Sequence, residues 1–328
     1  MTSDGRLDVS VALCTHNGAR FVGEQVRSIL AQTQPPTQIV LSDDASTDAT
    51  VDIVTALVEP TGIPLVVLAN PTALGVTRNF EQAVRACTGD LVALSDQDDV
   101  WLENRLEAMS ALFAARPDLL LAAGDARLVD ENGAPLEHSL FEALEISPGE
   151  FAGMRDGRQF ATLLHRNLVT GATTVFRRSL AEAAVPFPAA WVHDEWLASI
   201  GAAIGPVELV GDRLVDYRQH GSNQIGVAKL SFSGKLRRML EPRAERNARL
   251  LARAEALVER LEVTPLAVET GVLDSARGKL EHERQRSLLP ASRLARVLPV
   301  LRELRRDGYS LYGRGTADAV RDLLQPAS

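Results

Sequence analysis

Asp96, Asp98 and Asp99 place three carboxylates within four residues, in the run Ala93-Leu94-Ser95-Asp96-Gln97-Asp98-Asp99-Val100-Trp101. Carboxylates at this spacing repel one another unless a cation shares them, so the cluster suits a hard divalent ion that also holds a phosphate. A solvated acidic loop would carry the same letters. Position favours the ion: Asp90 to Leu94 reads as a short buried strand, and ligands of open α/β sheets gather at the carboxyl ends of strands. A second acidic turn, Asp43-Asp44-Ala45-Ser46-Thr47-Asp48, follows the apolar run Gln38 to Leu41. Two such turns at one edge of a parallel sheet face one ligand. Asp44 then offers a short acceptor to a base or ribose, while Asp96 and Asp98 suit a ribose hydroxyl and a metal. One of Asp43, Asp44, Ser46 and Asp48 is expected to cap the following helix, which accounts for one residue and not for both clusters.

The elements that must position these groups follow from periodicity. Val9 to Leu13, Gln38 to Leu41, Leu65 to Leu68 and Leu91 to Leu94 read as short buried strands, separated by helices carrying Phe21 to Leu30, Val51 to Val58 and Asn79 to Cys87. Helices alternating with short apolar strands predict a mainly parallel sheet covered on both faces. Beyond Trp101 the pattern predicts a helix over Leu102 to Arg116, a strand at Leu119 to Ala123, a turn at Asp130-Glu131-Asn132-Gly133 and irregular chain to about Arg158. Gly171 to Arg177 reads as a strand and Trp191 to Ile204 as a helix, followed by short strands at Val207 to Val210 and Arg213 to Tyr217. From Val227 onward the sequence reads as wholly helical. The organisation is therefore a domain over residues 1–228, with halves meeting near 101, and a helical region over 229–328.

Composition narrows the class. The chain has 328 residues, 45% of them apolar, and a formal charge of −8, ordinary for a soluble globular protein. Only Cys14 and Cys87 are present, both in apolar runs, so two buried thiols and a reducing cytoplasm are expected. No apolar run approaches the roughly 20 residues of a membrane span, and the start lacks the pattern of a signal peptide. Residues 229–328 hold 20 Lys+Arg against 13 Asp+Glu, leaving 15 against 30 in the first 228. The acidic part argues against nucleic acid as a partner. The basic, leucine-rich tail suits an interfacial helix at anionic lipid on the inner face of the plasma membrane. A solvated helical hairpin packed on the catalytic domain, or on the partner in a homodimer, fits the same residues.

Val9 to Gly18 (VSVALCTHNG), Ser42 to Thr50 (SDDASTDAT), Asn70 to Phe80 (NPTALGVTRNF) and Gly89 to Trp101 (GDLVALSDQDDVW) resemble the successive signatures of family 2 glycosyltransferases with the GT-A fold. Thr170-Gly171-Ala172-Thr173, His193-Asp194-Glu195-Trp196 and Tyr217-Arg218-Gln219-His220-Gly221-Ser222-Asn223 are similar to bacterial rhamnosyltransferases that build cell-surface polysaccharide. The resemblance covers roughly the first two thirds of the chain. It implies an α/β GT-A nucleotide-diphospho-sugar transferase fold with a helical C-terminal extension. By the same resemblance Asp98 faces a divalent metal, Mn or Mg, with His220 approaching it. Asp96 lies near the donor ribose or phosphate, Thr15, Asn17, Asp44 and Arg78 bind the nucleotide, and Asp99 serves the donor sugar. Asp194 is the implied general base, with Glu195 competing because the family often has Glu-Asp where this chain has His193-Asp194.

The implied activity is metal-dependent, inverting transfer of a sugar, rhamnose among the candidates, from a nucleotide-sugar donor to a hydroxyl of a glycan or lipid-linked acceptor. A cation stabilises the departing diphosphate and a base takes the acceptor's proton. Two other classes share the fold. Sugar nucleotidyltransferases usually open with a glycine-rich basic phosphate loop, whereas Leu13 to Arg20 has a single glycine and no lysine. A noncatalytic nucleotide-sugar binding module would keep Asp44 without needing Asp194. Trp191 and Trp196 serve either as core or as an acceptor platform, and Gly171-Ala172 either lets backbone approach the acceptor or makes a plain turn.

Overall fold

A computed structural model describes residues 6–220, 243–263 and 268–326. The expected alternation opens the chain: β1 (Val9–Thr15), α1 (Val22–Leu30), β2 (Gln38–Asp43), α2 (Thr50–Val58), β3 (Leu65–Ala69), α3 (Val76–Ala86) and β4 (Leu91–Ser95). Every residue of β1, β2 and β4 is buried. Strands covered on both faces must be apolar on both, which is why these read as unbroken runs. They lie in the order β3-β2-β1-β4, all parallel, with Thr15 beside Asp43 and Leu13 beside Ser95. The carboxyl ends of β1, β2 and β4 are thus level, and the two acidic turns leave the sheet together.

The chain continues through β5 (Val100–Trp101), α4 (Arg105–Ala115), β6 (Leu121–Val129), β7 (Pro135–Ser139), α5 (Leu140–Ala143), α6 (Pro148–Arg155) and α7 (Gln159–His165). It then forms β8 (Thr174–Arg177), α8 (Arg178–Ala184), α9 (His193–Ile204) and β9 (Val207–Arg218). Beyond β4 the sheet runs β8-β6-β9-β5, with β7 paired to β6. β8 is antiparallel to β4, Ala93 facing Val175, so the chain entering β8 meets the carboxyl end of β4. Antiparallel β5 sets Val100 against Asp216 of β9, which returns Tyr217 to His220 to the acidic turn.

Three expectations need correction. The stretch after Gly133, read as irregular, contains β7, α5 and α6; four of the five β7 residues are exposed, so no apolar alternation announces the strand. The two short strands expected after Pro206 are one, β9, which passes through exposed Gly211 and Asp212 with a register shift opposite Gly124 and Asp125. Gly171 to Thr173 make a single 3₁₀ turn ahead of β8 rather than its first residues. Cys14 and Cys87 are free and buried.

Packing divides the chain into two units. One, of Met1–Phe151, Leu168–Gly201 and Gly205–Val227, holds every strand of the sheet; the other comprises Ala152–Asn167, Ala202–Ile204 and Ala228–Ser328. The second contains α10 (Arg243–Val263), α11 (Thr270–Ser287), α12 (Arg293–Arg305), α13 (Gly308–Tyr312) and α14 (Thr316–Leu324). The helical reading of residues 227–242 lies largely outside the described residues. α7 packs on α11 and α13, which is why 152–167 groups with the tail. None of the helices among the described residues is long and apolar enough to cross a membrane.

The helical unit is held by matched buried charge beside a small apolar cluster of Leu289, Val300, Tyr309 and Ala319. Arg286, 2% exposed at its side chain, binds Asp322 through Nε at 2.6 Å and Nη2 at 3.2 Å, and Glu283 through Nη1 at 3.1 Å. Tyr309 donates to Asp322 at 2.9 Å, and Lys279 to Glu283 at 2.7 Å. Burial pushes the Glu283 carboxyl up, but Lys279 and Arg286 outweigh it and hold the group below the usual glutamate range. Its stabilisation is therefore complete above that range and fades as the pH falls through the lower folded value. Removing one partner of such a pair strands the others. Arg286→Met is expected to cost about 3–5 kcal/mol, read as a lower urea midpoint by circular dichroism. With Glu283 no longer held low, the variant should also lose less additional stability than the parent on acidification.

Candidate active site

The first acidic turn is braced from both sides. Thr15 Oγ1 donates to Asp43 Oδ2 at 2.7 Å, and Ser46 donates to Asp43 through its amide at 2.8 Å and its hydroxyl at 2.6 Å. Asn17, in the left-handed region at φ 48°, donates its amide to Ser46 Oγ at 2.7 Å and accepts from the Thr47 amide at 2.9 Å. Asp44, 7% exposed, accepts from the Leu74 and Gly75 amides at 2.5 and 2.9 Å. Its carboxylate therefore orders the loop that leads into α3. Asp48 is the residue that takes up a helix amide, accepting from Thr50 N at 3.0 Å. Arg78 stands exposed on the first turn of α3. Its neighbour Thr77 donates to the Trp191 carbonyl at 2.9 Å, which sets that turn beside the chain entering α9.

The second turn is clamped by residues that are distant in sequence. Gln97 accepts from the His16 amide at 2.8 Å and donates to its carbonyl at 3.1 Å, tying β4's end to β1's. Gly18 lies against this amide, and a Cβ there would overlap it. Arg218, 3% exposed at its side chain, donates through Nε to the Asp98 carbonyl at 2.7 Å and through Nη2 to Glu24 at 2.6 Å. Its own amide donates to Asp99 Oδ1 at 3.0 Å. Asp98 Oδ2 lies 2.7 Å from His220 Nε2, and the imidazole stacks on Phe21 with centroids 4.9 Å apart. Asp99 is 1% exposed and its Oδ2 has no hydrogen-bond partner among the described residues. Its other oxygen holds the Arg218 amide.

Arg105 is the counter-charge. It is fully buried, its guanidinium makes no hydrogen bond among the described residues, and it lies 3.9 Å over the Trp101 ring. Burial pulls it down to about 9, against the charges of Asp99 and Asp96. Burial, then Asp98 and Asp194, push the Asp96 carboxyl up to about 7, with Arg105 opposing. Burial, Asp98 and Asp96 likewise hold Asp99 well above its ordinary value. Tyr217 is raised by burial and by all four carboxylates, those of Asp99, Asp96, Asp98 and Asp194. Groups that perturb one another in this way occupy one site.

Asp194, in the first turn of α9 and 8% exposed, accepts from the Gly171 amide at 2.8 Å and the Glu195 amide at 2.6 Å. Gly171 thus orients the carboxylate, and its missing side chain leaves room for His193, whose Nε2 a Cβ would meet at 2.7 Å. His193 stacks on Phe80 at 3.7 Å, and burial pulls its pKa down to about 3. It is a packing group, neutral at physiological pH. Trp196 is fully buried and donates to the Ala184 carbonyl at 2.7 Å, which makes it core. Glu195 is half-buried beside Asp194.

Among the described residues no three His, Cys, Asp or Glu groups gather as a metal cluster. The donor set present, a carboxylate and an imidazole amid unmatched negative charge, fits a divalent ion that completes its shell with phosphate and water. Gln97, Arg105, Arg218 and Gly171 were not marked as site residues by the sequence. Each acts through a contact or a field spanning several elements; Gln97, Arg218 and Gly171 lie in segments singled out there, and Arg105 only in a helix given no chemical role.

The family model described as glycosyl transferase family 2 matches residues 10–184. The chain is 27% identical to an uncharacterized glycosyltransferase of Nostoc sp. over 230 residues, covering 66% of each protein. It thus spans just under two thirds of that relative's length. It is 24% identical to a dTDP-rhamnosyl transferase of Shigella flexneri over 241 residues, 69% of this chain and 78% of that one. S. aureus TarS in complex with UDP-GlcNAc matches with a TM-score of 0.60 at 16% identity, covering 96% of this chain and 90% of that one. A mannosyltransferase of Pyrobaculum calidifontis in complex with GDP-Man and Mn2+ matches with a TM-score of 0.53 at 17% identity, covering 96% and 80%. At such identities the likeness is one of fold, the GT-A fold. With its family model spanning more than half of the sequence, the chain belongs to glycosyl transferase family 2.

Proposed function

We propose that this protein is a metal-dependent, inverting glycosyltransferase that moves a sugar from a nucleoside-diphosphate donor to a hydroxyl of a glycan or lipid-linked acceptor. The observation that carries the reading is that Asp98 and Asp194, from two distant segments, both bear on Asp96, which follows the carboxyl end of β4. Thr15, Asn17, Asp44 and Arg78 frame the nucleoside. A carboxylate has about four lone-pair positions, so the two amides on Asp44 leave capacity for a base N–H. Asp98 and His220 would hold the cation, which when bound supplies charge to stabilise the departing diphosphate.

Asp194 takes the proton of the acceptor hydroxyl as that oxygen bonds to the anomeric carbon. The bond from that carbon to the diphosphate oxygen breaks, the electron pair leaves with the diphosphate, and attack from the opposite face inverts the centre. Two amide donors keep the Asp194 carboxylate aimed before substrate arrives, so little reorganisation is needed. Rhamnose is the sugar we assign, on the likeness to the Shigella flexneri dTDP-rhamnosyl transferase.

Three outcomes test this. Asp194→Asn keeps the size and one of the two amide contacts but not the base, and kcat should fall by about 10² to 10⁴ with donor Kd unchanged; weaker donor binding in step with turnover would refute the assignment. Removal of divalent ions should abolish nucleoside diphosphate release, with Mn2+ or Mg2+ restoring it, and His220→Ala should raise the metal concentration needed for half activity. In a thermal-shift screen of dTDP-, UDP- and GDP-sugars with Mn2+, dTDP-rhamnose should raise Tm most; a larger shift from a UDP- or GDP-sugar would refute the rhamnosyl assignment alone.

A further inference from the structure

Helix α12 reads Arg-Leu-Ala-Arg-Val-Leu-Pro-Val-Leu-Arg-Glu-Leu-Arg and has two faces of unlike fate. One is anchored: Arg296 and Val300 are buried at 0% and 1%. Arg296 donates to the carbonyls of Pro290 at 2.7 Å, Ala291 at 2.6 Å, Asp322 at 3.1 Å and Gln325 at 2.6 Å. Glu303, the only carboxylate in the helix, turns inward to His282 at 2.6 Å. The other face is apolar and bare: Leu294 is 86% exposed, Leu298 75%, Leu301 45% and Val297 40%. At 100° per residue these four share an arc of about 100°.

The charges around that arc are all of one sign. On the helical wheel Arg293 borders it on one side and Arg302 on the other, Arg305 falls within it at the last turn, and Arg306 follows; all four are exposed. Exposed leucines spaced three and four apart, rimmed by arginines with the lone carboxylate withdrawn, are the pattern of a helix lying in an interface. A second copy of the same face is a poor occupant, because a two-fold contact would bring Arg302 and Arg305 against like charge. An anionic surface meets both features at once.

We propose that α12 binds the surface of an anionic lipid bilayer, inserting Leu294, Val297, Leu298 and Leu301 while Arg293, Arg302, Arg305 and Arg306 meet the headgroups. The inference goes beyond the sugar chemistry and does not depend on it. Two exposed double variants separate its parts: Leu294→Ser with Leu298→Ser, and Arg302→Glu with Arg305→Glu. The full-length protein should float with vesicles of phosphatidylcholine plus phosphatidylglycerol, and not with phosphatidylcholine alone. Each arginine near such a surface contributes about a fivefold factor, so charge reversal should lower the bound fraction at least about tenfold at limiting lipid. The serine pair should do likewise with thermal melting unchanged. Failure of the parent to float, equal flotation with neutral vesicles, or retention by both variants would overturn the proposal. So would light scattering that shows a dimer which the serine pair converts to monomer, since the face would then be a self-interface.

Discussion

Confining four carboxylates where water barely reaches is the constraint around which the catalytic unit is arranged. Burial in a low dielectric raises the cost of ionising Asp96 and Asp99, Asp98 adds to it at both, and Asp194 adds to it at Asp96. The fold answers with fixed donors rather than mobile ones. Arg218 stitches β9 to the turn through backbone and side chain, Gln97 ties that turn to β1, and two amides point at Asp194. Arg105 contributes differently. With no hydrogen bond among the described residues to commit it, and Trp101 beneath it, it supplies positive potential to the cluster as a whole. Negative charge remains in excess, which suits a site made to receive a cation and its diphosphate together.

The helical unit provides a contrast within one chain. There, too, arginines and carboxylates are buried, but the central ones are matched: Arg286 between Glu283 and Asp322, Arg246 at 3.0 Å from Asp318, Lys279 on Glu283. Matched burial fixes geometry at small net gain in stability, because desolvation offsets most of the attraction. Unmatched burial does the opposite and persists only where something else repays it. Arg286 is saturated with partners, whereas Arg105 has no hydrogen bond among the described residues, and on the proposed reading the unmatched cluster is the functional one.

Much of this was legible in the sequence, for a physical reason. β1, β2 and β4 are covered on both faces, so their composition alone betrays them, and in a parallel sheet the residues that follow such strands must share an edge. Asp44, Asp96, Asp98 and Asp194 could be chosen on that basis and on family resemblance. What escaped notice depends on partners that no local pattern encodes. β7 has one buried residue in five, so it carries no alternation. β9 reads as two strands because Gly211 and Asp212 are exposed at a bulge. Gln97 looks like a spacer between two aspartates until His16, 81 residues earlier, is folded against it.

The pairing of Asp98 with His220 bears on how such a site is completed. A carboxylate and an imidazole already in hydrogen-bond contact are too few to hold a hard cation, whose shell takes six or more oxygen or nitrogen donors. On the proposed reading the remaining positions would go to the donor diphosphate and water. Cation and donor affinities are then linked, each strengthening the other by the same factor, and neither alone fills the turn. Asp194 is held separately: its two amide contacts come from the chain before β8 and from α9, so on the proposed reading the carboxylate that would act as base is set in place by the fold. The fold would thus treat the two halves of the proposed transfer differently, with one carboxylate oriented in advance and a cluster whose charge a cation and its substrate would balance.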